Sequence, residues 1–430
     1  MIYSISLRFL TLAILWTGLG VLQLENMLNS QFVWQAAAFS LLVLFGVLIE
    51  YLFGYNGDRN MLPVVQTIMA IGLVFLVRVS PVLAENQFIW ANIGLVLYYF
   101  IVFGLKDYRK LEEYQYLWGL MALILLFVTL LFGVTIHGAT SWLKIGQFSF
   151  QTEELVKVVL LLFMASYLDN NKELLRIGTT QVGRLSLPDK RTFGPFVFIG
   201  SFVLGLLAAQ KSLGTALVFF LLMVFVLYMV TERPLYLVIS VPVIFLTGIA
   251  GYLLFDHVRL RIATWLDPWA DSTGGGFQIS QSIFAISGGR ILGTGLGNGI
   301  GAYQIPHADT DFIFAVIAEE LGFLGAMAVI CLFIVLVMRS FAVSIRAIDR
   351  FGQILAAGIG ILIGVEVLII LAGVTKILPL TGLPLPWVSY GGSSMLTHFM
   401  LLGLLANISH SSSMTFSEAQ VAKRVGGALG

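Results

Sequence analysis

The stretch "IPHADTDFIFAVIAEELGFLGA", residues 305–326, decides how the chain is read. Asp309 and Asp311 stand just before Phe312, at the mouth of a membrane-length apolar run, and Glu319 and Glu320 lie inside that run. Carboxylates beside lipid are costly, so their presence asks for a partner or a function. The run is one of many. Of 430 residues, 58% are apolar and only 11% charged, with a mean hydropathy of +0.95. A soluble domain carries about 25% charged residues. Apolar stretches of about 20 residues cross a ~30 Å hydrocarbon core. The chain therefore reads as an integral membrane protein with many helices. A net charge of +1 gives no sign of nucleic-acid binding. Cys331, the only cysteine, excludes an intramolecular disulfide and a cysteine metal cluster. No cleavable signal peptide is read; the first apolar run reads as a retained anchor.

Hydropathy predicts twelve spans, near 7–24, 33–53, 61–80, 88–105, 116–135, 154–168, 194–209, 213–231, 235–255, 312–338, 352–374 and 394–410. Alternate loops are basic: "KDYRKLEE", "DNNKELLRIGTTQVGRLSLPDKR" and "RSFAVSIRAIDR" on one side, "QLENMLNSQ" and "SPVLAENQ" without Lys or Arg on the other. Positive charge stays in the cytoplasm, which predicts an even number of spans with both termini inside. Two outer loops stand apart. Residues 256–310 are too long for a plain connection, and "FQISQSIFAISGGRILG" predicts an amphipathic piece lying on the membrane surface. "KILPLTGLPLPWVSYGGSS", residues 376–394, cannot continue a helix and predicts a segment that re-enters or caps a cavity.

The polar clusters fall on the outer side. Glu154 and Lys157 share a helical face and can pair. Gln210 and Lys211 sit between two spans; Arg259, Arg261, Asp267 and Asp271 lie in the long loop. Lys376, Tyr390 and His398 follow. Lys and Arg around an outer cavity suit a diphosphate, and a carboxylate at its rim suits a general base. Blander readings stand beside these. Glu154–Lys157 can be a structural ion pair, and Glu319 and Glu320 suit helix packing better than catalysis. The Pro/Gly stretch can be a plain hairpin. "GTGLGNG", 293–299, follows no βαβ pattern and is no dinucleotide loop. His137, His257 and His307 lack metal-ligand spacing.

Five ordered blocks carry a resemblance: "GATSWLKIGQFSFQTEELVK", "QKSLGTAL", "WLDPWADSTGGGFQISQSIFAISGGRILGTGLGNG", "TDFIFAVIAEELGFLG" and "LPLTGLPLPWVSYGGSSML". Together they resemble the shape, elongation, division and sporulation (SEDS) family, typified by FtsW, RodA and SpoVE. The resemblance implies an all-α polytopic protein with a ten-helix core, here preceded by two extra helices within residues 1–115. The core would cover 116–410, with its outer loop at 256–311, and a cytoplasmic tail 411–430. It implies a peptidoglycan glycosyltransferase polymerising lipid II outside the bacterial cytoplasmic membrane, in division, elongation or sporulation, beside a class B penicillin-binding protein. The catalytic acid of "TDF" falls on Asp311, the block Trp on Trp142, and the paired Glu and Lys on Glu154 and Lys157. Lys157, Arg261 and Lys211 are candidates for holding the diphosphate, with Lys376 and Tyr390 as further substrate-binding candidates. Trp142 could pack against a sugar or the isoprenoid, or equally serve as an interfacial anchor. Apolar grooves between spans would hold the lipid tail. No residue pattern fixes a cofactor or a metal; a divalent cation, Mg or Mn, could share the leaving group's charge. Three departures stand out: Asp309 where the family often has His, "QKSLGT" for "QPDLGT", and "QTEEL" for "QPSEL". Rival readings are a flippase for lipid-linked precursors, another lipid-linked sugar enzyme, and an inactive scaffold for a transpeptidase.

Overall fold

Where water is absent, backbone N–H and C=O groups must pair within their own segment, so long apolar runs become helices. A computed structural model describes residues 2–24, 30–136, 139–146, 148–177, 180–182, 185–187, 190–271 and 274–427. His137, the loop charges Arg184 and Asp189, and Ser272 and Thr273 of the third block lie outside the described residues.

The helices are α1 (Ile2–Leu24), α2 (Ser30–Leu52), α3 (Met61–Val79), α4 (Pro81–Gly104), α5 (Gln115–Phe132), α6 (Thr152–Ile177), α7 (Lys190–Ala209), α8 (Leu213–Thr231), α9 (Leu235–Leu254), α10 (Asp256–Leu266), α11 (Phe277–Gly289), α12 (Gly301–Gln304), α13 (Ile313–Arg346), α14 (Arg350–Val374) and α15 (Gly392–Gly427). A 3-10 turn, Tyr108–Tyr114, precedes α5. The all-α reading lacks two small additions. Strands β1 (Val134–Ile136), β2 (Ala139–Ile145) and β3 (Phe148–Gln151) form an antiparallel sheet, with Trp142 opposite Gln151. Strands β4 (Thr180–Val182) and β5 (Leu185–Leu187) form a hairpin.

Among the described residues, ten helices are long and apolar enough to cross a membrane. The twelve expected spans are these ten plus α6 and α15, whose windows are more polar. Protein, not lipid, surrounds the polar positions of α6: Glu153, Glu154 and Lys157 are all buried. It packs against α5, α7, α8, α14 and α15. By contrast α9 touches mainly α8 and α10 and buries only Tyr236, Ser240 and Gly251. At the start of the chain, α1 packs on α3. Arg8 of α1 pairs with Glu50 of α2, and Thr11 meets Thr67 of α3 at 2.9 Å.

The question posed by Glu319 and Glu320 has a structural answer. Helix α13 breaks at Gly322 (φ 68°, ψ −171°). A Cβ there would stand 2.2 Å from the Gly293 nitrogen, so only glycine fits. The loop 293–301 wraps the two carboxylates. Gly297 and Gly299 donate backbone N–H groups to Glu320 at 3.0 and 3.2 Å; Ile300 and Gly301 donate to Glu319 at 3.1 and 2.8 Å. Buried Arg78 of α3 completes the cluster, 3.0 Å from Glu320. The "GTGLGNG" run is thus a carboxylate-binding loop that ties the long connection to α13 and α3.

Candidate active site

One end of the bundle gathers the sheet β1–β3, the α7–α8 turn, helices α10–α12 and the irregular segment 375–391. The "DTD" segment is clamped there by backbone. The N–H groups of Thr310 and Phe312 both donate to the His307 carbonyl, at 3.2 and 3.3 Å. The Tyr390 N–H donates to the Asp309 carbonyl at 2.9 Å, and Ser389 Oγ donates to that of Thr310 at 2.5 Å. Gln87 of α4 holds the segment from behind, donating to the Ser389 carbonyl at 3.0 Å. Phe312 is fully buried, which anchors the segment while Asp311 stays partly open.

Asp311 and Arg261 converge on the space beside Gly382. The Asp311 Oδ2 and Arg261 Nη2 atoms each lie 3.4 Å from where a Cβ on Gly382 would stand. Gly382 has φ +70°, so glycine supplies both the turn and the space. Arg261 also donates from Nη1 to the Thr381 carbonyl at 3.2 Å. Burial raises the Asp311 carboxyl above the usual carboxylate range, while the charges of His307 and Arg261 pull it back. Burial likewise lowers Arg261, and Asp311 opposes that. A carboxylate with one open side and an adjacent guanidinium can take a proton from a bound hydroxyl and steady an anion beside it.

Lys157 lies in a separate, closed cluster. Its Nζ is 2.8 Å from both oxygens of Glu154 and 2.5 Å from Glu366 of α14. Glu366 also accepts from His398 Nε2 at 2.8 Å, and His398 Nδ1 donates to the Ser394 carbonyl at 2.7 Å. Both ring nitrogens of His398 thus face acceptors, and the imidazole closes the cluster. Lys157 is 3% exposed and its charge is spent on this quartet, which joins α6, α14 and α15. Glu366 escaped the sequence reading. Its signal was a lone carboxylate within "ILIGVEVLIILAG".

Two of the three departures from the family pattern touch each other. Glu153, fully buried, accepts from Ser212 Oγ and Thr215 Oγ1 of the α8 start, both at 2.6 Å. The acid absent from "QKSLGT" is supplied across the interface by "QTEEL". The α7–α8 turn is further fixed by Gln210, whose side chain donates to the Leu126 carbonyl at 2.6 Å. It presents Lys211 exposed, with φ +62°. A Cβ on Gly214 would come 2.8 Å from the Thr381 carbonyl, so this turn abuts the segment that Arg261 grips. The remaining candidates surround these groups. Trp142 is half-buried on β2, and the Gln151 N–H opposite donates to Ser393 at 3.0 Å. Tyr390 is half-buried, with Asn86 and Asp309 acting on its hydroxyl. Lys376, φ +62°, accepts at its carbonyl from Trp265 of α10 at 3.2 Å. Among the described residues no group of three or more His, Cys, Asp or Glu side chains is arranged to hold a metal.

The sequence matches the family FTSW_RODA_SPOVE, described as "Cell cycle protein", over residues 58–414, beginning after α2. It is 37% identical over 366 residues to the peptidoglycan glycosyltransferase RodA of Mycobacterium tuberculosis (strain ATCC 25618 / H37Rv), covering 82% of this chain and 78% of that protein. A probable peptidoglycan glycosyltransferase FtsW of Geobacter sulfurreducens is 36% identical over 310 residues, covering 70% of this chain and 79% of that protein. Among solved structures, one described as "Structural coordination of polymerization and crosslinking by a peptidoglycan synthase complex" contains a similar chain. It has a TM-score of 0.70 and 27% identity, covering 83% of this chain and 98% of that one.

Proposed function

Because the chain belongs to the FtsW/RodA/SpoVE family of cell cycle proteins, we propose that this multi-pass membrane protein is a peptidoglycan glycosyltransferase that polymerises lipid II at the outer face of the cytoplasmic membrane. The observation that carries the reading is the convergence of a partly open Asp311 and Arg261 on the space beside Gly382. Asp311 is the general base. It takes the proton from the acceptor sugar's 4-hydroxyl as that oxygen bonds to the donor's anomeric carbon, and the bond from that carbon to the diphosphate breaks. Charge builds on the leaving diphosphate, where Arg261 and Lys211 stand. Lys157, enclosed by Glu154, Glu366 and His398, serves by holding three helices in register beneath the site. Trp142, Tyr390 and Lys376 line the approach. The partner is a transpeptidase of the class B penicillin-binding type, a reading supported by the synthase complex that contains a similar chain.

Purified protein given fluorescent lipid II, with and without such a transpeptidase, should yield long glycan. The Asp311→Asn variant should insert and fold normally yet lose about 10²–10⁴-fold in rate. Near-normal polymer from that variant would exclude Asp311 as base; translocated lipid without polymer would indicate a flippase.

A further inference from the structure

His257 is the second residue of α10, and Arg261 follows four residues later on the same face. Its ring rests against Phe255, centroids 5.5 Å apart. Its Nε2 atom is shielded from solvent and has no hydrogen-bond partner. Two cations, Arg261 from its own helix and Lys211 from the α7–α8 turn, act on the imidazole. Burial first, then these two charges, lower its pKa; Asp256, whose carboxylate is almost fully exposed, opposes them. A third nearby cation, Arg259, is turned away, donating to the Tyr252 and Leu253 carbonyls and to Asp256. A shielded ring nitrogen without a partner, under the influence of two cations, is costly as it stands. An anion seated among the three groups would remove that cost.

We infer that His257 is a substrate-binding residue that donates its Nε2–H to a non-bridging oxygen of the lipid-linked diphosphate, alongside Arg261 and Lys211. The inference rests on the glycosyltransferase reading and extends it to a residue outside the five blocks that carry the resemblance. Its consequence is a pH dependence of binding. An arriving diphosphate favours the imidazolium, so affinity rises as pH falls through the imidazole range.

Undecaprenyl diphosphate is the probe, with binding to full-length protein in nanodiscs measured from pH 8 to pH 6. The Asp311→Asn background removes turnover and the titration of the carboxyl beside Arg261. In it, affinity should tighten about 5–10-fold across that range. Adding His257→Gln should flatten the response and weaken binding several-fold at pH 6, and His257→Tyr should do the same if the Gln variant is unstable. As a control, His307→Gln should leave the slope in place. With Asp311 intact, His257→Gln should raise KM for lipid II several-fold and leave kcat within about twofold. Unchanged affinity and slope in both His257 variants, while the parent binds the probe, would overturn the assignment alone. A parent protein that binds no undecaprenyl diphosphate would overturn the underlying reading as well.

Discussion

At the scale of single residues, the site is a matter of which charges are left open. Lys157 and Arg261 looked equivalent in the sequence, as cations near the outer face. Lys157 is enclosed by two carboxylates, whereas Arg261 spends one hydrogen bond on the Thr381 carbonyl and shares space with Asp311. Adjacent residues diverge in the same way, with Glu153 bonded to hydroxyls and Glu154 to an ammonium. The influence of Arg261 on Asp311 has a measurable sign. Burial raises the carboxyl's pKa and Arg261 lowers it. Removing the cation with Arg261→Gln should push that pKa higher, so the acidic limb of kcat/KM should move to higher pH, by about one unit. A pH–rate profile of glycan synthesis reads this directly; an unmoved limb would mean that the titrating base is not the group beside Arg261.

At the scale of elements, the N-terminal ends of α6 and α8 are joined by one acid. The usual family pattern places that acid on the α8 side; this chain carries it on α6, as Glu153, facing Ser212. Glu153→Ser should leave the Ser212 and Thr215 hydroxyls short of an acceptor, and Ser212→Asp should press a second carboxylate against the first. Each single change should cost about 1–3 kcal/mol and most of the activity. The double variant, Glu153→Ser with Ser212→Asp, restores one acid to the interface and should recover most of both, with a coupling of about 0.5–3 kcal/mol. Thermal unfolding in detergent and glycan synthesis together test this; additive losses would show that the two positions do not act as a pair. The strands β1–β3 were invisible as elements because three to seven residues of mixed polarity beside long apolar runs give no period strong enough to register. The loop 293–301 was visible as glycine-rich, but its purpose depended on Glu319 and Glu320 arriving from another element.

At the scale of the molecule, alternating loop charge makes a prediction of its own: the end that holds Asp311 faces outward. In a Cys331→Ser background, Asn298→Cys should react with an impermeant maleimide in intact cells, and Lys110→Cys only after permeabilisation. Both positions are exposed, at opposite ends of the bundle, so the reverse pattern would invert the topology. The sequence alone determined that the chain is a bundle of membrane-length helices, because hydropathy over about 20 residues is a local property that lipid enforces segment by segment. It also pointed, through the five ordered blocks, to the chain segments proposed to carry the site. Tertiary structure alone decided which charges neutralise each other and which remain open. Glu366 reaches Lys157 across 209 residues of chain, and Ser212 reaches Glu153 across 59. Charges interact through space at a few ångströms, and no periodicity along the chain encodes that distance.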